Sequence, residues 1–205
     1  MSPLTKPPMA GESLDRLQWA FAGTSSTTLM PVNGFEDDTV APVPHSQWDH
    51  WIDSNHDGPV SDEGDMYPQL DGTVLEKGSM VNPETDLMTD YEESWSDLEP
   101  ANTADDDKKW SVVLVLNDED RHVKGMIVRV GQHAQGMIKV GKDLCLERWE
   151  WKDDHDDDTR SWQRTARLGD IFLPCSTAFY PHMLAADGKV AYGDYTWEVK
   201  ELYQW

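Results

Sequence analysis

The chain has 205 residues, which is enough for one large or two small domains, and its apolar fraction of 38% can build a core rich in its ten tryptophans. A formal net charge of -22 argues against nucleic acid as a partner and favours basic ones. No apolar run is long enough to cross a bilayer, and prolines stand where a signal peptide needs an apolar core, so we expect a soluble intracellular protein without a membrane span.

The charge is divided unevenly between two halves of the chain. From Phe35 to Asp107 there are 21 acidic residues and one basic residue, Lys77, whereas from Trp110 onward there are 16 acidic and 12 basic residues. The run from Pro100 to Lys109 has the composition of a linker. We therefore predict two domains, residues 14–107 and residues 108–205.

The first half alternates apolar and polar residues in short stretches separated by turn signals. Leu17, Trp19 and Phe21 alternate as in a strand, Thr24 to Val32 is predicted to return beside them, and Asn33-Gly34 is typical of a hairpin turn. Further strands are predicted over residues 47–53 and 73–77. Tyr91 to Leu98 fits either a helical turn or an edge strand.

The second half begins with Trp110 to Leu116, the run most typical of a strand in the chain. Three antiparallel strands are predicted next, over residues 126–130, 132–138 and 144–151, with glycines at the breaks. Later strands are predicted at Ser161 to Leu168, Ile171 to Cys175, and Val190 to Val199 with a break at Gly193. Many short strands without helical periodicity indicate an all-β protein, and two small antiparallel β-barrels fit this pattern best.

No cofactor or metal site is predicted. Residues 53–58 resemble the start of a calcium loop, but the twelfth position is Gly64 where a bidentate glutamate is required. His45, His50 and His56 match no zinc spacing. The acidic runs at residues 105–107 and 153–158 are predicted to be solvated loops without bound metal. Cys145 and Cys175 are expected to be buried free thiols.

The tryptophans suggest core packing first and an apolar ligand cavity second. In the cavity hypothesis, the polar groups that orient the ligand are Arg129, Gln132, His133 and Gln135. The apolar wall is then formed by Trp149, Trp151 and Trp162. This ligand site is placed in the second domain.

Strand alternation leaves two orientations open for Arg129. It places Met126, Val128 and Val130 on one face and Ile127 with Arg129 on the other. The surface is the favoured position for a charged side chain. If Arg129 points inward, its permanent charge requires a partner such as Glu147 or a ligand oxygen.

Six short motifs, in order along the chain, resemble the fungal protein family called HRI. They are Gln18-Trp-Ala-Phe-Ala-Gly-Thr24, Trp48 to Ser54, Met66-Tyr-Pro68, Tyr91 to Trp95, Gly125 to Gly136, and Tyr195-Thr-Trp-Glu-Val199. The resemblance implies two consecutive β-barrel-like domains of lipocalin topology and a location in the cytoplasm and nucleus. It also implies protein partners that include kinase and protein-translocation components, and it implies no catalytic residue.

Two functional hypotheses follow. The first is a non-enzymatic intracellular β-barrel protein that binds a protein partner or a small apolar ligand. The alternative is a cofactor-free pericyclase of the hetero-Diels-Alderase type, in which an aromatic barrel cavity holds an intermediate of fungal secondary metabolism. Such catalysis requires only proximity, orientation and a few hydrogen bonds.

Overall fold

The computed structural model describes residues 17, 19–30, 42–82, 85–103, 108–153 and 160–205. These residues form two compact units, one over residues 22–99 and one over residues 100–205 together with the described residues up to Phe21. Both units are built from antiparallel strands, which confirms the all-β prediction. The described residues contain no helix with the length and hydropathy that a bilayer crossing requires.

The first sheet has five strands in chain order, so that each strand pairs with the next one along the chain. Its strands are β1 (Phe21–Met30), β2 (Val43–Asp53), β3 (Val60–Pro68), β4 (Val74–Asn82) and β5 (Leu87–Trp95). The prediction of strands over residues 47–53 and 73–77 is confirmed. Tyr91 to Trp95 belongs to β5, the edge strand of the sheet, which excludes the helical alternative for these residues.

The second sheet has seven strands in the order β10-β9-β8-β7-β6-β12-β11. The strands are β6 (Trp110–Asp118), β7 (Val123–Val130), β8 (His133–Val140), β9 (Asp143–Asp153), β10 (Arg160–Leu168), β11 (Lys189–Tyr192) and β12 (Tyr195–Gln204). The three central strands predicted from the glycine-punctuated stretch are therefore confirmed. So is the break at Gly193, where a positive φ of 56° turns the chain between β11 and β12.

One face of the second sheet is covered by the segment between β10 and β11. It contains two 3-10 helices, Cys175–Phe179 and Pro181–Met183, and the first of them lies over β6, β7 and β8. The buried core between segment and sheet consists of Val112, Leu114, Leu116, Val123, Ile127, Ile138, Cys145, Leu173, Cys175, Ala178, Trp197 and Val199. Both cysteines are buried and free, as expected from the sequence.

Three strand predictions are wrong. Leu17 and Trp19 lie outside strands, and residues 21–30 form one continuous strand instead of two. Gly23 is not a turn residue: a Cβ built on it would lie 1.8 Å from the carbonyl oxygen of Asp49, so its role is to let β1 approach β2 closely. The turn predicted at residues 33–34 falls outside the described residues.

The third error concerns Ile171 to Cys175, which forms a loop and the start of a 3-10 helix. Pro174 has no amide hydrogen to donate to a ladder, and Gly169 turns the chain with a φ of 77°. Conversely, β3 was not predicted, because its acidic residues disfavour strands and only pairing with β2 and β4 makes it one.

The closed barrels expected from the sequence are not observed as such. Hydrogen bonding between the described strands leaves β1 and β5 as the ends of the first sheet, and β10 and β11 as the ends of the second. The barrel arrangement and the limits 14–107 and 108–205 for independently folding domains therefore stay predictions. The acidic runs at residues 105–107 and 153–158 also stay untested, because residues 104–107 and 154–159 and the Asp153 side chain lie outside the description.

Close packing against Gly125 generates a stability prediction. A Cβ built on Gly125 would lie 2.4 Å from the Cη2 atom of Trp197, whose ring is buried. We expect Gly125→Ala to lower the free energy of unfolding by about 1–3 kcal/mol, the usual cost of overpacking a core. The measurement is urea unfolding followed by tryptophan fluorescence. Gly58→Ala is the control, since nothing lies within 4 Å of a Cβ there, and an equal loss in both variants would contradict the packing argument.

Candidate functional site

The structure corrects the prediction for the two faces of β7. Burial alternates along the strand so that Val123, Gly125, Ile127 and Arg129 face the core, while Val130 is exposed. Arg129 is only 1% exposed, so the favoured surface position is wrong and the inward orientation is the one observed. The mistake has a physical origin: both faces of β7 carry apolar residues, and alternation alone does not say which of them is covered.

Arg129 is held by neutral oxygens. Its Nε donates to the carbonyl of Gly131 at 3.0 Å, and its Nη1 donates to the carbonyls of Ala178 and Phe179 at 2.9 and 3.0 Å. Its Nη2 donates to the Thr103 hydroxyl at 2.6 Å. Glu147, which the sequence offered as a partner, is not among these contacts. Burial lowers the pKa of Arg129 to about 10, so the guanidinium is still charged at neutral pH.

Glu147 forms a second buried polar centre on β9, where it is 3% exposed. Its Oε1 accepts hydrogen bonds from Arg167 at 2.7 Å and from Arg164 at 3.2 Å, and its Oε2 accepts one from the indole of Trp149 at 2.8 Å. The desolvated carboxylate is thus compensated by two cations and one neutral donor. Neither arginine was predicted as part of a site.

The two cysteines near this centre are not activated as nucleophiles. Burial raises the pKa of Cys145 to about 11, and burial followed by the charge of Glu147 raises the pKa of Cys175 further. Because the thiolate is the reactive form, both groups are inert thiols at neutral pH.

The structure brings the predicted aromatic residues together. Trp162 lies beneath the Arg129 guanidinium at 5.0 Å and stacks on Phe179 with ring centres 4.3 Å apart. Trp149 packs edge-on against Phe179, with ring centres 5.3 Å apart. Trp151 packs edge-on against Trp162, with ring centres 5.9 Å apart. We call Trp149, Trp151, Trp162 and Phe179 the aromatic wall. Phe179 had no signal in the sequence, since it comes from the covering segment.

The predicted polar groups are less well gathered. Gln132 accepts a hydrogen bond from the backbone amide of Ala101 at 2.6 Å. By register, His133 and Gln135 lie on the opposite face of β8 from Ala134, which pairs with Arg129. Gln135 is exposed and accepts a bond from Arg148. Of the four polar residues proposed to orient a ligand, Arg129 contacts the aromatic wall through its side chain, at Trp162. Gln132 meets the wall through its backbone carbonyl, which accepts a hydrogen bond from the amide of Trp151 at 2.8 Å.

The first sheet carries a different group of polar and aromatic side chains, which was not predicted from the sequence. Cross-strand register places its members on one face: Trp48 pairs with Asp62, and Glu76 pairs with Glu93. Tyr91 and Trp95 flank Glu93 on the same side of β5. We call these side chains the acidic aromatic face; they are Trp48, Asp62, Glu76, Tyr91, Glu93 and Trp95.

Glu76 is the centre of this face and is 2% exposed. Its Oε1 accepts a hydrogen bond from the Tyr91 hydroxyl at 2.7 Å, and its Oε2 accepts one from the indole of Trp95 at 2.6 Å. Trp95 also stacks on Trp48, with ring centres 6.3 Å apart and planes 13° apart. The buried carboxylate therefore holds the aromatic side chains in place.

Two glycines make room for this arrangement. A Cβ built on Gly64 would lie 2.7 Å from Oε1 of Glu76, and one built on Gly78 would lie 2.4 Å from the hydroxyl oxygen of Tyr91. Any other residue at either position would displace the carboxylate or the phenol. The two glycines pair with each other across β3 and β4, so the space left by their missing side chains lies at one place in the sheet.

The electrostatics of this face are one-sided. Burial, and then the charges of Glu76 and Asp62, raise the pKa of Glu93. Lys77 is the only lysine or arginine between residues 22 and 99, and it points to the other face, where it pairs with Glu92 at 2.6 Å. The rings of Trp48 and Trp95 add electron-rich surface to this face, and Trp95 is 45% exposed. The face is chemically suited to contact with a cation.

The histidines that suggested zinc are engaged in local hydrogen bonds. His45 Nδ1 lies 2.9 Å from Asp65, and His50 Nδ1 lies 2.8 Å from Asp53. Asp53 also accepts bonds from the backbone amides of Asn55 and His56, so its carboxylate is engaged within the turn. In the described residues no group of three or more potential ligands is arranged to hold a metal ion.

Comparison with known proteins gives a family and a fold. The family model described as Protein HRI1 matches residues 2–201. The crystal structure of uncharacterized protein YLR301w from Saccharomyces cerevisiae is similar, with a TM-score of 0.60 and 20% sequence identity, over 96% of this chain and 84% of that one. No curated protein matches the chain in sequence. At this identity the yeast structure shows a shared fold alone.

The crowding of carboxylates generates a prediction for Glu93. Its pKa is raised in the folded state, so the ionised group lowers stability above that pKa and ceases to do so as the pH falls through it. We expect Glu93→Gln to raise the free energy of unfolding at pH 7. Glu93 is exposed, so solvent screens its repulsion with the neighbouring carboxylates. We therefore expect the gain in the free energy of unfolding to be up to about 0.5 kcal/mol.

The measurement is urea unfolding at pH 7 and at pH 4, where the gain should disappear. The matched control is Glu92→Gln, which removes the same charge from the other face of β5 and breaks the ion pair with Lys77. A gain of equal size in the Glu92 variant would show that bulk charge, not the acidic aromatic face, is responsible.

Proposed function

Because the chain belongs to the Protein HRI1 family, we propose that it is a non-catalytic β-sheet protein that binds a partner protein through the acidic aromatic face. The observation that supports this function is the clustering of three carboxylates and three aromatic rings on one face, with Lys77 turned to the other. A lysine or arginine of a basic partner would satisfy both groups, by ion pairing and by contact with a tryptophan face.

The state of the potential reactive groups supports a binding role over catalysis. The Arg129 guanidinium is committed to backbone carbonyls, and Glu147 is committed to Arg164, Arg167 and Trp149. The Cys145 and Cys175 thiols are held protonated by burial. A general acid, base or nucleophile needs access to substrate, and Arg129, Glu147, Cys145 and Cys175 are all buried.

The finer features belong to the same proposal. We infer that the two sheets are the main parts of two barrel-like domains of lipocalin topology, with limits at 14–107 and 108–205. We place the protein in the cytoplasm and nucleus, with a kinase or a protein-translocation component as the partner, as the family resemblance implies. A basic partner surface is the additional requirement set by the acidic aromatic face.

A small apolar ligand bound along the aromatic wall is a second candidate function. It is supported by the contact of Trp162 with both Arg129 and Phe179, which gives an apolar surface beside a fixed cation. The pericyclase alternative is a special case of this binding, since it requires the same wall to hold a reactive intermediate.

The first test measures binding of heptalysine as a basic probe, by tryptophan fluorescence titration at two salt concentrations. We expect Glu93→Gln and Trp95→Ala to weaken binding about fivefold, or roughly 1 kcal/mol, in line with one exposed cation contact. Glu92→Gln, which has the same net charge as Glu93→Gln, should bind like the parent protein. Equal weakening in both glutamine variants would show that the probe responds to net charge alone, and it would refute the acidic aromatic face as the binding site.

The second test uses the neutral probe N-phenyl-1-naphthylamine with the full chain. If the aromatic wall binds apolar ligands, the probe becomes fluorescent in the parent protein, and Trp149→Phe weakens the binding about threefold through the loss of indole area. Trp205→Phe is the control, because that ring stacks on Tyr203 at the end of β12 and is not part of the wall. Equal binding by both variants would exclude the wall as a ligand site.

A further inference from the structure

Arg129 has a buried positive charge that, among the described residues, is compensated by neutral groups. Among the described residues its hydrogen bonds go to three carbonyls and one hydroxyl, and none goes to a carboxylate. Placing a charge in a protein interior without a countercharge is costly even when its donors are satisfied. The lowered pKa of Arg129 reflects the same burial. An anion at this position would therefore be favourable.

Among the groups that accept hydrogen bonds from Arg129, the hydroxyl of Thr103 is the one to which an anionic group can be attached covalently. It is the one side-chain oxygen among the four acceptors and lies 2.6 Å from Nη2. Nη2 carries two hydrogens, and in the described part of the chain only one of them is used. Thr103 is half-buried, so part of its surface is accessible to solvent.

Thr103 is held there by a short strap, residues 100–103. The amide of Ala101 donates to the Gln132 side chain at 2.6 Å. The strap also passes so close to Gly131 that a Cβ on that glycine would lie 2.7 Å from the Ala101 carbonyl oxygen. The contacts of Ala101 with Gln132 and Gly131 thus support the position of the Thr103 hydroxyl beside the guanidinium.

The sequence after Thr103 is Ala-Asp-Asp-Asp, which places acidic residues two, three and four positions beyond the hydroxyl. Kinases select substrates by the charge pattern around the acceptor, and this pattern suits one with a basic substrate groove. Ser54 and Thr89 also precede acidic residues, but their hydroxyls bond to Asn55 and to the Leu87 carbonyl. Contact with an arginine distinguishes Thr103.

We propose that Thr103 is a phosphorylation site and that Arg129 is the receptor for its phosphate. In the transfer, the γ-phosphorus of ATP forms a bond to Thr103 Oγ1 and its bond to the oxygen of ADP breaks. The hydroxyl proton leaves to the catalytic base of the kinase, and nothing is oxidised or reduced. The phosphate brings close to two negative charges and three acceptor oxygens to a guanidinium that has neutral partners only.

The consequence is a tighter strap. In the unmodified protein, one hydrogen bond joins Thr103 to Arg129; in the modified protein, a charge-assisted interaction replaces it. Phosphorylation would thereby fasten residues 100–103 to the turn at Gly131 and to the end of the 3-10 helix at Phe179, because Arg129 already holds both. This inference does not depend on the acidic aromatic face, which lies in the other unit.

The decisive measurement uses the full chain with phosphothreonine placed genetically at position 103. Its phosphate is titrated by phosphorus NMR in the folded state and in urea. An adjacent guanidinium should lower the second phosphate pKa, ordinarily about 6, by about one unit on folding. The net charge of -22 would act in the opposite direction. A phosphate pKa that is equal or higher in the folded state would therefore overturn the proposal.

Thermal unfolding of the same protein separates a covalent site from an anion pocket. We expect the phosphorylated chain to unfold on the order of 2–4 °C above its phosphatase-treated form. Arg129→Lys, which keeps the charge but loses the fork of donors, should abolish most of this rise. An equal rise produced by inorganic phosphate on the unmodified chain would show a free-anion site and refute covalent modification.

The substrate part of the proposal is tested separately with ATP, magnesium and an acid-directed serine/threonine kinase. Peptide mapping should find phosphate at Thr103 in the parent protein, and Thr103→Val should lose that peptide signal alone. Phosphate on other residues with none at Thr103 would overturn the assignment.

Discussion

Arg129 is a buried cation that links the second sheet to its covering segment by hydrogen bonds. Arg129 reaches from β7 to the carbonyls of the 3-10 helix, to the turn at Gly131 and to Thr103. Without it, the carbonyls of Ala178 and Phe179 would lose their donor in a buried environment, which costs free energy for each group. The aromatic wall depends on the same contact, because Trp162 and Phe179 stack beside the guanidinium.

The two sheets solve the burial of charge in different ways. Glu147 in the second sheet is matched by two arginines, so its charge is neutralised within the unit. Glu76 in the first sheet receives two neutral donors, and the carboxylates of Asp62 and Glu93 lie nearby. The first arrangement favours stability, whereas the second keeps net negative charge on an exposed aromatic surface. Such a surface is useful for recognition and costs stability when nothing is bound.

The sequence predicted the elements better than their faces. Strong alternation and glycine breaks were sufficient to locate β7, β8 and β9, since local periodicity determines those strands. Which face of β7 is buried depends on the covering segment. Part of that segment, Ile171 to Cys175, was mistaken for a strand, because its apolar residues are typical of strands although Pro174 cannot donate to a ladder. Arg129 was consequently identified as a site residue with the wrong preferred orientation. The acidic aromatic face could not be found from the sequence, because its members come from four strands and carboxylates are too abundant for any pair to stand out.

The exposed edge of the first sheet has a consequence for the behaviour of the protein at high concentration. β5 ends the sheet among the described strands, and a bare strand edge is a template on which a second copy can add a strand. Asp90, Glu92 and Glu93 project from this strand, so two copies that approach edge to edge bring like charges together. Colloidal stability should therefore rest on ionised carboxylates. Acidification or high salt would remove that protection and allow the edges to pair.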